Sequence, residues 1–252
     1  MRHLLTGAGS GIGAALATLL AARGDELWLV ARNATRAGEL AERFPEAQVL
    51  QSDLAEELDL SAWPLPERLD SLVHSAGVVE LGPVSGLTAK SLQHQFMVNA
   101  AAPALVTAWA LPALRSAQGT VVFVNSGAGL QAHAEWSAYA ASKFAVRAIA
   151  DSLRAEESAA GVRVTTIYPG RTATPMQQAV KAYEEAPYDE RVLIDPTTVA
   201  AQILGVIDLP VDAAIPDLAV RPSGRGPARP GSCELGDCSG MQPPERASCL
   251  LS

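Results

Sequence analysis

The chain has 252 residues and a mass of 26.2 kDa, and 48% of its residues are hydrophobic, so it can bury a large core and is typical of one α/β domain. The formal net charge of -8 and a pI near 5.0 disfavour nucleic acid or an acidic membrane surface as the main partner, because both require clustered Lys and Arg. We therefore expect a soluble enzyme that acts on a small molecule.

Short apolar runs of β type alternate with alanine-rich helical segments along the chain. Strands are predicted at residues 2–6, 26–31, 47–51, 69–74, 119–125, 162–168 and 214–220. Helices are predicted at about residues 12–23, 35–44, 88–114, 136–160, 175–186 and 196–206. The alternation predicts a doubly wound parallel sheet of about seven strands with helices on both faces. Ligands of such sheets bind beyond the carboxyl ends of the strands.

A glycine-rich turn follows the first predicted strand and opens a helix. Its sequence is Thr6-Gly7-Ala8-Gly9-Ser10-Gly11-Ile12-Gly13. Glycines let a backbone approach a pyrophosphate closely, and a helix N-terminus supplies free N–H groups with a partial positive charge. A tight structural turn is the alternative interpretation. The position between an apolar strand and an amphipathic helix favours nucleotide binding.

The end of the second strand bears on the choice of nucleotide. Enzymes that use NAD commonly place an acid there for the ribose 2′-hydroxyl, whereas the 2′-phosphate of NADP calls for Arg. This strand ends in Ala31 and Arg32, which favours NADP(H) over NAD(H). Arg36 in the following helix could assist, although an exposed first-turn Arg more often only solvates its surface.

Neither a membrane span nor a secretory leader is predicted. The most apolar stretch, residues 100–114, is shorter than the roughly 20 residues needed to cross a bilayer and contains Pro103, Thr107 and Pro112. Met1 and Arg2 lead directly into a strand rather than into a long apolar leader segment. We expect a cytoplasmic protein without a membrane partner.

Tyr139 and Lys143 stand four residues apart in the helix-forming run Tyr139-Ala140-Ala141-Ser142-Lys143. Residues at this spacing share one helix face, so the phenol and the ammonium can project toward the same point. A nearby positive charge favours the phenolate, so we expect Lys143 to lower the pKa of Tyr139 from about 10 and make it a usable acid. The spacing alone is weak, because a Tyr and a Lys on an exposed helix face often only solvate it.

The chain resembles the short-chain dehydrogenase/reductase family over about residues 2–223, in an order of motifs that is highly specific. The glycine turn has the family's spacing T-G-x-x-x-G-x-G. The further matches are Asp53-Leu54 after the third strand, Ser75-Ala76-Gly77 after the fourth, Asn99 in the long fourth helix, Ser126 thirteen residues before Tyr139, Tyr139-x-x-x-Lys143, and Pro169-Gly170-Arg171-Thr172-Ala173-Thr174 after the sixth. The resemblance implies a Rossmann-like fold and a nicotinamide cofactor.

The resemblance also implies a role for each matched residue. Tyr139 would be the general acid/base, Ser126 would hydrogen-bond the substrate oxygen, and Lys143 would tune the tyrosine and hold the nicotinamide ribose. Asn99 would position a water in a proton relay through Lys143, and Asp53 would hold the adenine. The cofactor-binding set implied in this way, with Arg32 added from the strand end, is Gly7, Gly9, Ser10, Gly11, Ile12, Gly13, Arg32, Asp53, Leu54, Ser75, Ala76, Gly77, Asn99, Tyr139, Lys143, Pro169, Gly170, Thr172 and Thr174.

These roles are chemically consistent with reduction of a carbonyl. Hydride arrival at the carbonyl carbon leaves negative charge on oxygen, which two hydroxyl donors can stabilise while one of them delivers the proton. The alternative for Ser126 is a turn residue at a strand end, and for Asn99 a helix polar group satisfied by its neighbours.

Some residues depart from the family pattern. His74 and Ser75 stand where the family writes the asparagines of N-N-A-G, which we expect to change hydrogen bonding at the sheet end more than chemistry. His133 lies where substrate-pocket residues occur, but an isolated loop histidine is more often solvent-exposed, so it is left out of the catalytic set. Residues 177–195 match the variable substrate lid and give no substrate identity.

The composition changes at residue 224, from where Gly and Pro are frequent and no apolar periodicity remains. We expect residues 224–252 to form a disordered tail that is dispensable for stability and cofactor binding. The tail holds Cys233, Cys238 and Cys249, whose spacing matches neither a C-x-x-C pair nor a zinc ligand set. No metal site is predicted, and a redox or assembly role for the tail is the minor alternative.

Two functions from different classes remain open at this point. The first is an NADP(H)-dependent oxidoreductase for a small or medium carbonyl/alcohol pair, and the second is a binding protein of the same fold that senses a dinucleotide without turnover. The full set of Asn99, Ser126, Tyr139 and Lys143 favours the enzyme, because a sensor needs the glycine turn but no acid. The resemblance further implies a homodimer or homotetramer paired through the two long helices.

Overall fold

The strands form one parallel sheet whose order places the glycine turn at its centre. The computed structural model describes residues 1–64 and 66–223, so the predicted tail and its cysteines lie outside the described residues. Within that part of the chain the strands are β1 (Arg2–Thr6), β2 (Glu26–Ala31), β3 (Gln48–Gln51), β4 (Ser71–His74), β5 (Thr120–Val124), β6 (Arg163–Pro169) and β7 (Asp217–Val220). Their order is β3-β2-β1-β4-β5-β6-β7. The predicted seven-stranded parallel sheet is confirmed.

Helices connect the strands and cover both faces of the sheet. They are α1 (Gly11–Ala22), α2 (Ala34–Arg43), α3 (Ala89–Phe96), α4 (Ala102–Ala117), α5 (Ser137–Glu157), α6 (Pro175–Tyr183) and α7 (Pro196–Ile207). Each falls within a predicted helical segment to within about three residues. The last predicted strand is shorter than expected, because pairing with β6 begins only at Asp217 opposite Thr166.

Alternate residues of the central strands build a core on each face. In β5, Val121 and Phe123 pack with Val106 of α4 and Val146 of α5. Val122 points to the opposite face, where the core includes residues of α1 and α7. This alternation is expected of strands buried on both sides, and it explains why they read as continuous apolar runs.

The crevice for a ligand follows from the strand order. β1 pairs with β2 on one side and with β4 on the other. The connection that follows β1 therefore runs toward one edge strand of the sheet, and the connection that follows β4 runs toward the other. Parallel pairing also brings the carboxyl ends of all these strands to one edge. The glycine turn after β1 and the segment after β4 therefore meet there, as predicted.

The helical segment predicted at 88–114 is not a uniform α-helix. α3 and α4 are joined by a π-helical turn, Met97–Ala101, which contains Asn99. Pro103 lies in the first turn of α4 and, lacking an N–H, donates no backbone hydrogen bond to the π-helical turn that precedes it. Wider turns of this kind are rare and occur mostly at functional sites.

The same segment is long and apolar enough to cross a membrane by length and composition. It runs as Ala89–Ala117, and 56% of its most apolar window is buried inside the protein. It packs on β4 and α5, where Val106, Ala110 and Leu114 are fully buried. Burial of this kind is typical of a core helix.

Candidate active site

A cleft of about 1370 Å³ runs along the carboxyl edge of the sheet. It brings together most of the residues predicted from the sequence. Those that line it are Gly7, Gly9, Ser10, Gly11, Ile12, Arg32, Asp53, Leu54, Ser75, Ala76, Gly77, Ser126, Tyr139, Lys143, Pro169, Gly170, Thr172 and Thr174. Gly13 and Asn99 lie behind its wall. The volume is sufficient for a dinucleotide beside a small substrate.

The glycine turn fits a pyrophosphate for physical reasons that differ between its glycines. A Cβ on Gly7 would come within 2.5 Å of the Ala76 nitrogen, and one on Gly13 within 2.3 Å of the Gly7 carbonyl oxygen. These two glycines therefore allow the turn itself to close. A Cβ on Gly9 would meet nothing within 4 Å, so this residue faces the open cleft. Gly13, predicted to bind cofactor, acts through packing.

The first turn of α1 is left available for an anion. Its N-cap residue, Ser10, makes no side-chain capping bond, and the first turn contains no acidic residue. The first N–H groups of a helix have no partner within the helix, and they carry the positive end of the helix dipole. The residues present therefore fit the phosphates of a nicotinamide dinucleotide.

The cleft end near β2 is basic. Arg32 follows β2, is exposed and lines the cleft, and among the described residues it makes no ion pair or hydrogen bond. Arg36 also lines the cleft, but its guanidinium is 2.5 Å from a Glu39 carboxylate oxygen. Asn33 caps α2 by accepting a hydrogen bond from the Arg36 backbone N–H at 3.0 Å. A 2′-phosphate would thus find one uncommitted guanidinium, that of Arg32.

Two hydroxyl groups meet deeper in the cleft. Ser126 follows β5, and Tyr139 lies in the first turn of α5, where it is only 5% exposed. The Ser126 side chain lies close enough to the phenol of Tyr139 to favour the ionised form of that phenol. Its oxygen also accepts the Ala128 N–H at 3.2 Å, which fixes the direction of the hydroxyl. A substrate oxygen placed between these groups would meet two donors.

The pKa of Tyr139 is raised above its usual value, whereas the sequence predicted that it would be lowered. Burial disfavours the phenolate and raises the pKa of Tyr139 to about 12, and the neighbouring Ser126 side chain only partly counteracts this. The prediction that Lys143 lowers it is therefore wrong for the protein by itself. The Lys143 ammonium lies 5.8 Å from the ring centroid of Tyr139, and its hydrogen bond goes to the Val124 carbonyl oxygen at 3.1 Å instead.

Lys143 is itself perturbed by its surroundings. The side chain is 4% exposed, and burial lowers its pKa to about 8. At pH 7 most of the population therefore still carries the charge. A buried ammonium with a single backbone acceptor gains strongly from further acceptors, such as the hydroxyls of a ribose.

Asn99 is positioned behind the cleft by the π-helical turn. Its amide oxygen accepts the Val78 N–H at 2.8 Å, and its amide nitrogen donates to the Val78 carbonyl at 2.9 Å and to Ser142 Oγ at 3.0 Å. The side chain is thus committed to holding the segment after β4 against α5. Among the described residues its side chain forms no hydrogen bond with Lys143, and the relay through a bound water stays a prediction.

Sequence reasoning missed two polar residues that assemble the site. Asn125 donates from its amide to the Lys143 carbonyl at 3.1 Å and accepts the Ser126 N–H at 2.8 Å, so it ties the end of β5 to the middle of α5. Ser142 donates to the Tyr139 carbonyl at 2.7 Å while it accepts from Asn99. The sequence did contain a signal for these two residues, because each is polar and directly precedes a candidate catalytic residue: Asn125 precedes Ser126, and Ser142 precedes Lys143.

His74, which differs from the family's N-N-A-G pattern, has a structural role, as expected. His74 is 3% exposed at the end of β4, and its Nε2 is 2.8 Å from Thr107 Oγ1. Its ring stacks on Phe123 with 5.0 Å between centroids. Burial lowers the pKa of His74 to about 3, so the imidazole is neutral at physiological pH. His133, by contrast, is exposed at the mouth of the cleft.

Comparison with known proteins gives a consistent picture. A family model described as short chain dehydrogenase matches residues 2–185. The uncharacterized oxidoreductase YciK of Escherichia coli is 33% identical over 196 residues, which are 72% of this chain and 77% of YciK. Glycine betaine reductase ATRR of Emericella nidulans is 31% identical over 235 residues, 87% of this chain, but the chain spans only 18% of its length.

A solved structure extends the similarity to three dimensions. The closed form of a serine dehydrogenase complexed with NADP+ superposes with a TM-score of 0.78 at 25% identity. The superposition covers 87% of this chain and 94% of that chain.

Proposed function

This chain belongs to the short-chain dehydrogenase family, and from that premise we propose that it is an NADP(H)-dependent oxidoreductase. Its substrate pair would be a small or medium carbonyl compound and the corresponding alcohol. The observation that carries the proposal is the proximity of two hydroxyls, those of Ser126 and Tyr139, beside the Lys143 ammonium in the cleft. A bound nicotinamide would donate or accept the hydride.

In this proposal Tyr139 holds and delivers the proton. A phenol with a pKa of about 12 is fully protonated at neutral pH, as a donor to a carbonyl oxygen must be. Ser126 supplies the second hydrogen bond to that oxygen, whose negative charge grows as the carbonyl is reduced. We expect the phenolate left on Tyr139 to be stabilised by Ser126, which already lowers the pKa of the phenol against the effect of burial.

The preference for NADP(H) rests on Arg32. Its guanidinium is exposed, lines the cleft at the end of β2 and is uncommitted among the described residues. The preceding Ala31 places no carboxylate there to repel a phosphate. The serine dehydrogenase that superposes on this chain was crystallised with NADP+, which supports the same choice.

The test is to follow NADPH oxidation with a panel of ketones, aldehydes and quinones and then to compare two matched variants. Tyr139→Phe removes one hydroxyl at nearly constant volume, so turnover should fall by about two to four orders of magnitude while NADPH binding survives. The control is Tyr168→Phe, the same change at a buried tyrosine of β6 that does not line the cleft. It should retain turnover.

The outcomes also separate the enzyme from the sensor. A protein that binds NADPH but oxidises it with no member of the panel would favour a dinucleotide-sensing role. Near wild-type turnover in Tyr139→Phe would place the acid elsewhere and end the catalytic assignment. Lys143→Ala should weaken both turnover and cofactor binding, because a ribose contact and an electrostatic role are assigned to the same ammonium.

A further inference from the structure

Resting on the proposed function, we infer that the substrate is a neutral carbonyl compound with an aryl or branched alkyl body, and that Trp136 determines this specificity. The inference concerns the wall of the cleft next to the reacting hydroxyls. It follows from what packs against Tyr139 and from the way the nearby charges are already paired.

The wall beside Tyr139 is apolar. Val79 and Trp136 pack against the small buried cluster formed by Ala128, Tyr139 and Ala140. The rings of Trp136 and Tyr139 lie 5.8 Å apart at 67°, an edge-to-face arrangement. Trp136, Val79 and Ala128 all line the cleft as well, so each presents part of its surface to a bound molecule.

Trp136 is held in place from two sides. Its carbonyl accepts the Ala140 N–H at 2.7 Å at the start of α5, and its ring is fixed by the contact with Tyr139. A rigid aromatic surface loses little entropy when a second ring or a branched chain packs on it. A substituent on the carbonyl carbon would therefore gain apolar contact at the point where its oxygen meets Tyr139.

The charged side chains at this end of the cleft are engaged with each other. The Arg171 guanidinium is held at both ends by the Glu184 carboxylate, at 2.7 and 2.6 Å. Glu80 is 2.7 Å from His94 Nδ1. These pairs present two carboxylates to the cleft, and within the described residues no guanidinium beside them lacks an acceptor. A carboxylate on the substrate would lose its hydration here without gaining a free guanidinium as partner.

The remaining cleft arginines are too distant or already engaged. Arg32 and Arg36 follow β2, which lies three strands from β5, or about 14 Å at the usual strand spacing. Arg221 donates to the Tyr168 carbonyl oxygen at 2.6 Å. The basic end of the cleft therefore serves the cofactor phosphates, and the substrate end favours uncharged compounds.

The experiment compares three aldehydes with the full-length protein and NADPH. Benzaldehyde and 4-carboxybenzaldehyde differ by one para carboxylate, and propanal lacks the ring. We expect kcat/KM for benzaldehyde to exceed that for 4-carboxybenzaldehyde at least tenfold. In Trp136→Ala, kcat/KM for benzaldehyde should fall about tenfold or more while that for propanal stays within about threefold. Trp136→Phe keeps an aromatic surface and should retain most of the preference.

The ratio between substrates is the decisive readout, since partial unfolding of a variant would lower all three values together. Equal losses for benzaldehyde and propanal in both variants would make Trp136 merely structural and overturn the inference. A wild-type preference for 4-carboxybenzaldehyde or for propanal would also overturn it and leave the oxidoreductase assignment intact. Absence of NADPH oxidation with every aldehyde would count against the proposed function itself, and the inference would fall with it.

Discussion

Acid should destabilise this protein in part through His74, and replacement of that histidine should remove the effect. His74 is buried between Phe123 and Thr107 and has a pKa of about 3. In the unfolded chain the same imidazole has its ordinary pKa of about 6.5. Between these values the unfolded state binds a proton that the folded state does not bind, so stability falls as pH falls from 6.5 toward 3.

The size of the effect follows from the two pKa values. The difference in proton binding costs about 2 kcal/mol at pH 5 and about 3 kcal/mol at pH 4, relative to neutral pH. Small proteins are stable by only about 5 to 15 kcal/mol, so one histidine can remove a substantial part of the total. His3 is also buried with a lowered pKa, but it is present in both proteins and cancels in the comparison.

The assay is urea unfolding of wild type and His74→Asn at pH 7 and pH 5. We expect His74→Asn to be less stable than wild type at pH 7, because asparagine cannot stack on Phe123, so the informative quantity is the change in unfolding free energy between the two pH values. We expect the variant to lose about 2 kcal/mol less than wild type on acidification. His133→Asn, at an exposed position, should behave as wild type. Parallel losses in His74→Asn and wild type would refute the reasoning.

Three further predictions concern the cofactor and assembly. Arg32→Ala should weaken NADPH binding roughly ten- to a hundredfold in a fluorescence titration and leave NADH unchanged, since one charge-assisted pair contributes about 1.5 to 3 kcal/mol. The Kd for NADPH should rise as pH increases above 8, up to about tenfold per unit, because Lys143 then loses its charge, and this dependence should be absent in Lys143→Met. Leu105 and Phe144, which are 48% and 41% exposed on α4 and α5, should lie in a homo-oligomer interface, so Leu105→Asp and Phe144→Asp should sediment as monomers.

Each of these has a clear contrary result. Equal loss of NADH and NADPH affinity in Arg32→Ala would show a general effect on the cleft rather than a phosphate contact. The same pH dependence in wild type and Lys143→Met would assign the titration to another group. A wild-type protein that sediments only at 26 kDa at micromolar concentration would reject the oligomer.

Much of the fold could be predicted because the responsible signals are local in the chain. The apolar runs that became β1 and β2 needed only periodicity and flanking glycines, and both strands have the predicted bounds. The parallel order then forces the glycine turn, Ser126 and Lys143 to one edge, so their proximity follows without knowledge of a single contact.

The remainder depends on tertiary burial, which sequence spacing does not report. The i, i+4 spacing correctly placed Tyr139 near Lys143, but the sign of the pKa shift depends on how far the phenol is removed from water. The π-helical turn around Asn99 is likewise set by packing on α5 and by Val78, which is distant in sequence. Gly13 matched a binding motif, yet its contact is with the carbonyl of Gly7.

The bridge made by Asn125 has a consequence for how this protein can be altered. Because its amide joins the Ser126 N–H to the Lys143 carbonyl, one side chain links the end of β5 to α5 across residues 125–136, which connect them in the chain. Lys143 makes a second link of this kind through its hydrogen bond to the Val124 carbonyl, so the strand and the helix are also held together by bonds that do not involve Trp136 or His133. We expect exchange of an exposed loop residue such as His133 to alter the choice of substrate more than the position of Tyr139.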